Sequence, residues 1–452
     1  MSFPSFKKII KALFLPCYLV FNIFYSPFLR NYFFSRIEKI PRSKQLFFMT
    51  RFDYGTWLLL MHYVQCWCSE RGPAALVVFI PNSQRIVHLA KWICPHAELV
   101  VFDNWLSRLV FKIFRSDVPQ YYTYNPIYAE ACCLWPYALY IFDMTFCRKN
   151  PVNISRYVEA FDPVLQKPWP FSDPFLQTYL HTQKGYDYRR DIYQDMIRLT
   201  YARAERKIEP PLASSFFHSL LQQLKIETPY VVMNLNCKDY RNKLRNNRRI
   251  NFPERYNPMI DFLISKGYSV VMQGREEQPL LPQRKGLINY FNSSFASEEN
   301  DYGLFSQCAF AIFPKTGPEV FGPICNIPVL GLNYTELAAI VPKSRCRFFP
   351  KHVWDSKKGA FIHWKDLLQR PCFFDVGVLS FEEGIEYIDL DEEELLQAAQ
   401  EFLSLLPKPV PAWLEYTPQQ EQFKRSLHPA HIDLYDVTEV PCDAYLSSPK
   451  YG

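Results

Sequence analysis

Residues 309–333 read AFAIFPKTGPEVFGPICNIPVLGLN. Two short apolar runs, FAIF and PVLGL, flank a Lys-Thr-Gly triplet and an apolar segment punctuated by prolines. A short apolar run that turns, passes through a helical stretch and returns as another apolar run is the pattern of a βαβ unit. Its parallel strands are covered on both faces and so lose polar alternation. The chain has only 14 glycines, yet Gly317, Gly322 and Gly331 all fall in this stretch. Glycine adopts φ > 0 freely and lets a backbone approach a neighbour closely. The triplet at 315–317 is therefore either a phosphate cradle or ordinary turn chemistry.

The same alternation extends outward. YVVMNLN at 230–236 reads as a strand, NPMIDFLISKG at 257–267 as an amphipathic helix closed by Gly267, and YSVVMQG at 268–274 as a strand. GLINYFN at 286–292 reads as another strand and DYGLFSQC at 301–308 as a short helix. LDEEELLQAAQEFLSLL at 390–406 is the last clear helix, with acidic residues in its first turn as the helix dipole favours. Nearer the N-terminus, QLFFMT, ALVVFIP and AELVVFD read as strands separated by the helical stretches TWLLLMHYVQCWCSERG and NSQRIVHLAKWIC. Residues 116–210 are less regular; YALYIFDMT at 137–145 is a candidate strand there, and the stretch toward 208 is helical in pattern. The prolines of EPPLASS mark a boundary.

The expected organisation is α/β: a first segment at 1–40, a Rossmann-like domain at 41–211, a second doubly wound domain at 212–405, and a tail at 406–452 lying on the body. A length of 452 residues suits two domains with appendages. The net charge of +6 is mild; it suits an anionic ligand or a membrane surface, and no zinc-finger, RNA-recognition or helix-turn-helix signature points to nucleic acid. Thirteen cysteines without a CxxC pair read as reduced, mostly buried thiols. The first thirty-odd residues carry Lys7, Lys8 and Lys11 and then no charge until Arg30, with many aromatics between. Pro16, Asn22 and Pro27 interrupt a spanning helix, so an interfacial anchor over residues 1–35 is the expectation, with a core-packed helix as the alternative.

The triplet is neither a Walker A loop nor GxGxxG. Pro318 suits the first position of a helix, and such a helix would present free N–H groups and its positive end to an anion. Lys315 adds a charge and Thr316 a hydroxyl. Four pieces in order carry a wider likeness: YVVMNLNCKDYRN, NPMIDFLISKGYSVVMQG, the long run from INYFNSS through NIPVLGLNYTEL, and FFPKHVWDSKKGAFIHWKDLL. Over roughly residues 230–368 the chain resembles a family of bacterial glycosyltransferases of the GT-B type. That resemblance implies a C-terminal domain holding a nucleotide-sugar donor, with the pyrophosphate near Lys315, Thr316, Gly317 and Glu319. It also implies Lys238-Asp239 where relatives carry Arg-Asp, and Arg51-Phe52-Asp53-Tyr54-Gly55 where relatives carry a His. Lys is a point charge without Arg's bidentate fork.

Three residues are weighed as general base. Asp53, on the first strand-to-helix loop beside Arg51, Tyr54 and Gly55, could deprotonate an acceptor hydroxyl, or could serve an Asx turn or helix cap. Asp103 reads better as a cap, and His62, inside a helix, as a satisfied side chain. Arg275, Lys238 and Arg241 could neutralise a leaving diphosphate; the dense basic run at 241–256 is either an anion-binding loop or a solvated one. The Asp389-Leu390-Asp391 triplet resembles a metal motif, but its place before a helix favours capping. The expected function is metal-independent, inverting transfer of a sugar from a nucleotide-sugar to a lipid-linked or surface glycan. No cofactor and no nucleic acid are expected, and the expected place is the cytoplasmic face of a membrane. The alternatives are a non-catalytic nucleotide- or glycan-binding protein and a sugar-nucleotide epimerase.

Overall fold

The computed structural model describes residues 39, 41, 43–49, 54–78, 83–101, 214–227, 229–235, 251–274, 281–314, 317–335, 345–368, 384–427 and 439–451. These fall into two compact units, one holding 39–49 and 67–101, the other 54–66 and 214–451. The expected anchor at 1–35, the strand at 137–145 and the helix toward 208 lie outside the described residues. Among the described residues no helix is long and apolar enough to cross a membrane.

The first unit is built on a parallel sheet in the order β1-β2-β3: Gln45–Met49, Ala74–Val78 and Glu98–Val101. In chain order α1 (Tyr54–Glu70), whose residues 54–66 are counted with the second unit, comes between β1 and β2, and α2 (Ser83–Ile93) connects β2 to β3. Gly72 follows α1 at φ 120°, where its N–H closes back on Trp67. Leu89, Ala90 and Ile93 of α2 are buried while Lys91 is exposed, the amphipathic pattern of a helix lying on a sheet.

The second unit is a mixed α/β fold on a seven-stranded parallel sheet. Its strands are β4 (Tyr230–Asn234), β5 (Ser269–Gln273), β6 (Leu287–Ile288), β7 (Phe310–Phe313), β8 (Val329–Tyr334), β9 (Cys346–Pro350) and β13 (Val440–Pro441). The spatial order is β13-β9-β8-β7-β4-β5-β6, every pair parallel. From β6 inward this is the 3-2-1-4-5-6 order of doubly wound dinucleotide-binding sheets.

Period-two alternation explains why the strands read as unbroken apolar runs. Val231, Met233, Phe310, Ile312, Leu330 and Leu332 belong to one core layer with α4 (Asn257–Ser265) and α8 (Glu392–Leu405). The intervening Val232, Ala311 and Phe313 are equally buried. They face α5 (Glu298–Gln307), whose Phe305 packs on Phe313 at 5.3 Å and stacks on Phe321 at 4.9 Å. Each such side chain contributes about 1.5–3 kcal/mol by leaving water. On the other layer, α8 places Phe402 between Phe310 (5.2 Å) and Trp413 (5.4 Å).

A small antiparallel sheet in the order β11-β10-β12 sits in the same unit: β10 is His352–Asp355, β11 Ala360–Phe361 and β12 Ile385–Ile388. Asp355 accepts hydrogen bonds from the Lys357 and Lys358 N–H groups in the β10–β11 turn. The remaining short helices are α3 (Ser214–Gln223), α6 (Phe321–Cys325), α7 (Trp364–Leu368), α9 (Pro418–Arg425) and α10 (Asp443–Leu446).

Three expectations need correction. The strand expected over 286–292 is only Leu287–Ile288, and a 3-10 turn follows at Tyr290–Asn292. The stretch beyond 406 does more than lie on the body, because Val440–Pro441 pairs with β9 and completes the sheet edge. The helix expected from Pro318 is instead a 3-10 turn at Gly317–Val320 followed by the five-residue α6. Pro318 and Pro323 each remove a backbone donor, and Asn326 at φ 51° ends the helix. No extended helix dipole is therefore aimed from this turn.

Candidate functional site

Chain direction through the second sheet reverses at one place. From β4 the chain moves outward through β5 to β6; it then crosses back to β7 on the other side of β4 and continues through β8 to β9. β4 and β7 are direct neighbours, with Met233 opposite Ile312. Their carboxyl ends, at Asn234-Leu235 and Phe313-Pro314, flank the topological switch point, where such sheets bind ligands.

Two of the stretches singled out from sequence leave the sheet there. Lys238 and Arg241 follow β4, and Lys315 and Thr316 follow β7; Arg275 follows β5 one strand over. All five lie outside the described residues, as do Arg51, Asp53 and Asp103. Tyr54 and Gly55 form the first turn of α1, the helix that Asp53 precedes. Gly317 opens the 3-10 turn after β7.

Glu319, expected among the ligand-facing groups, is turned inward. It is 4% exposed, and its carboxylate accepts a hydrogen bond of 2.7 Å from Tyr334 Oη. A charged hydrogen bond inside the protein anchors the 3-10 turn to β8, the next strand of the sheet. Burial, and then the negative Glu319 beside it, push the Tyr334 phenol well above its ordinary value, so it stays a neutral donor. The Tyr334 ring lies directly over Gly331 and stacks on Phe348 at 5.4 Å. Gly331 is thus in the sequence for close approach of an aromatic ring, not for ligand contact.

The carboxyl edge holds further polar groups that sequence reasoning did not single out. Gln273 ends β5 and Thr335 follows β8; both are buried, and among the described residues Gln273 Oε1 and Thr335 Oγ1 have no hydrogen-bond partner. Lys351, just past β9, is ion-paired with Asp389 in the interior. Burial drives the Lys351 ammonium below its ordinary value, and the Asp389 charge only partly offsets this. The Asp389-Leu390-Asp391 triplet splits between two structural tasks. Asp389 pairs with Lys351, while Asp391 caps α8 in a reciprocal capping box with Glu394, the role its position suggested. Among the described residues no group of three His, Cys, Asp or Glu is placed to hold a metal ion. His62 is buried within α1 with Cys66 Sγ 3.8 Å from its Nε2, in line with a satisfied side chain. The seven described cysteines are all free thiols, six of them buried.

A second polar cluster, at β10 and the N-terminus of α8, was not legible either. His352 is fully buried; Nε2 lies 2.6 Å from Glu394 Oε1 and Nδ1 2.8 Å from Tyr451 Oη. Lys450 bridges Glu394 (2.7 Å) and Asp391 (3.0 Å). This cluster fastens the 3-10 turn at Pro449–Tyr451 to the sheet.

Comparison with known proteins adds a distant likeness. No protein-family model and no curated protein matches the chain. Among solved structures, it is similar to a glycosyl transferase family 9 protein from Veillonella parvula, with 11% identity, a TM-score of 0.39, and coverage of 81% of this chain and 98% of the other.

Proposed function

We propose that the chain is a glycosyltransferase that takes its sugar from a nucleotide-activated donor, with the donor's diphosphate at the carboxyl ends of β4 and β7. One observation carries this reading: the strand order β6-β5-β4-β7-β8-β9 puts the switch point where the Lys238/Arg241 and Lys315–Gly317 stretches leave the sheet. In this reading Lys315, Lys238, Arg241 and Arg275 meet the diphosphate charge, Thr316 supplies a hydroxyl, and the backbone of Gly317 allows close approach. Glu319 acts as a positioning residue that holds the turn through Tyr334.

Transfer requires that an acceptor hydroxyl lose its proton as its oxygen attacks the anomeric carbon and the nucleoside diphosphate departs. Asp53 is the proposed base. The cations stabilise the charge that grows on the leaving diphosphate, so in this reading no bound metal is required. The proposed acceptor is a lipid-linked or surface glycan, reached from the cytoplasmic face of a membrane through residues 1–35. Inversion is the proposed outcome of this single displacement.

The test is a thermal-shift panel of nucleoside mono- and diphosphates and nucleotide sugars, with and without Mg²⁺. Stabilisation by one nucleotide, abolished in Lys315→Ala/Thr316→Ala, is expected; ligand at one hundred times Kd adds about 2.7 kcal/mol. Absence of stabilisation by every nucleotide would sink the proposal. Binding without sugar transfer to any glycan would favour a non-catalytic binding protein.

A further inference from the structure

The amino end of the second sheet carries a surface that the donor reading does not use. Between α4 and α8 lies an open groove lined mainly by Phe262, Lys266, Tyr268, Leu403, Leu406 and Pro407. Tyr268 immediately precedes β5, and Leu403 and Leu406 stand at the C-terminal end of α8. The groove therefore opens at the end of the sheet opposite the switch point. Phe262, Tyr268, Leu403 and Leu406 are each part-exposed. Tyr268 sets its ring edge-on to Phe310 at 5.5 Å, which holds this apolar floor to the core. Lys266 places its ammonium 5.3 Å from the centre of the Phe262 ring, so basic and apolar groups lie side by side.

Four exposed lysines stand on the turns at this end. Lys225 lies on the turn that leads into β4, Lys266 between α4 and β5, Lys285 before β6, and Lys408 after α8. Among the described residues none of the four is in an ion pair. On the described parts of these turns Glu227 is the exposed carboxylate. Asp261, on α4, is paired with Arg284 at 3.1 Å, and Glu401, on α8, accepts the Asp443 and Ala444 N–H groups. A helix C-terminus carries about half a negative charge, which a lysine beside it more than offsets, so the rim stays positive.

We propose that this amino-end face docks on an anionic phospholipid bilayer. An apolar centre with aromatic rings inside a cationic rim matches the chemistry of that boundary. The rings and aliphatic chains enter the headgroup layer, and the ammonium groups meet lipid phosphates. A second copy of the chain fits less well, because an isologous contact would bring the two positive rims together. The proposal does not rest on the donor site, and a bilayer at the amino end leaves the carboxyl edge of the sheet clear. It is also separate from contact through residues 1–35, so the test reads the face itself.

The full chain is mixed at low salt with vesicles of phosphatidylcholine, or of phosphatidylcholine and phosphatidylglycerol. Partition is measured by flotation, and amide exchange is followed across residues 259–268 and 400–410. Exchange in both segments should slow with the anionic vesicles and not with the neutral ones. Lys266→Gln/Lys408→Gln, two exposed substitutions, should weaken partition by about ten- to thirtyfold, at about fivefold per lysine near an anionic surface, and remove the protection. Lys266→Arg/Lys408→Arg should keep both. Binding to anionic vesicles with unchanged exchange in both segments would overturn the proposal, because another surface then carries the contact. Equal partition of wild type and the Gln variant would do the same, as would a chain that ignores anionic vesicles. Protection that appears without vesicles and grows with protein concentration would assign the face to a second copy and overturn it too.

Discussion

Replacing Gly331 by Ala tests the packing that holds the turn after β7. A Cβ there would sit 2.4 Å from Cζ and 2.5 Å from Cε1 of Tyr334, and 2.9 Å from Cβ of Phe348. Ordinary carbon contacts lie at about 3.5–4.0 Å, so the ring would have to retreat by roughly an ångström. It has little room: it is 2% exposed, stacked on Phe348, and tied by its hydroxyl to the Glu319 carboxylate. Overpacking costs about 1–3 kcal/mol, and loss of a hydrogen bond to a charged group about 1.5–3 kcal/mol. Gly331→Ala should therefore destabilise the second unit by about 3–5 kcal/mol, and at about 2–4 °C per kcal/mol its transition in scanning calorimetry falls by roughly 6–20 °C. In a Tyr334→Leu background, where the ring is gone, the same substitution should cost much less. A Gly331→Ala protein within about 0.5 kcal/mol of wild type, a change typical of bland surface sites, would refute the reasoning. So would an equal loss in both backgrounds.

Lys351→Met should cost about 3–5 kcal/mol, because it leaves Asp389 buried without its cation; adding Asp389→Leu should recover most of that loss, measured by urea unfolding. Burial alone would raise the Glu394 carboxyl, but hydrogen bonds and charge from His352 and Lys450 outweigh it and hold the group below its ordinary 4.5. A carboxyl depressed in the folded state contributes stability that is present above pH 4.5 and lost as pH falls through the lower folded value. Unfolding midpoints taken from pH 7 downward should thus drop below pH 4.5, and Glu394→Gln should be less stable at pH 7 with a shallower acid limb. Phe402→Ala should cost about 3–5 kcal/mol by opening a cavity between Phe310 and Trp413, read as a lowered transition of the second unit.

The alternation of apolar strands and helices was legible because parallel strands covered on both faces leave continuous runs, as in YVVMN and FAIF. The cap of α8 was legible for a similar reason: a capping box is local, and Asp391 and Glu394 stand three residues apart. What was missed is short or long-range. Val440–Pro441 is only two residues long, and its place beside β9 is a tertiary fact. The expected helix at 318–325 yielded to two prolines and became a 3-10 turn with one further turn of helix. Glu319 looked like a first-turn anion partner, yet Tyr334, fifteen residues on, holds it in the core. The bonds of Asn333 to Tyr256 and of His352 to Tyr451 join residues 77 and 99 apart, and no local pattern announces such pairs. The glycine-rich stretch at 309–333 thus divides: Gly331 makes room for a ring, while Gly317 opens the 3-10 turn after β7.

The most direct test of the central claim is a crystal structure of the full chain with the nucleoside diphosphate that stabilises it most. Density for the diphosphate is expected over the carboxyl ends of β4 and β7, between the stretches that follow Leu235 and Pro314. A diphosphate bound elsewhere, such as on the apolar face formed by Phe262, Tyr268 and Leu403 at the opposite end of β5, would contradict it.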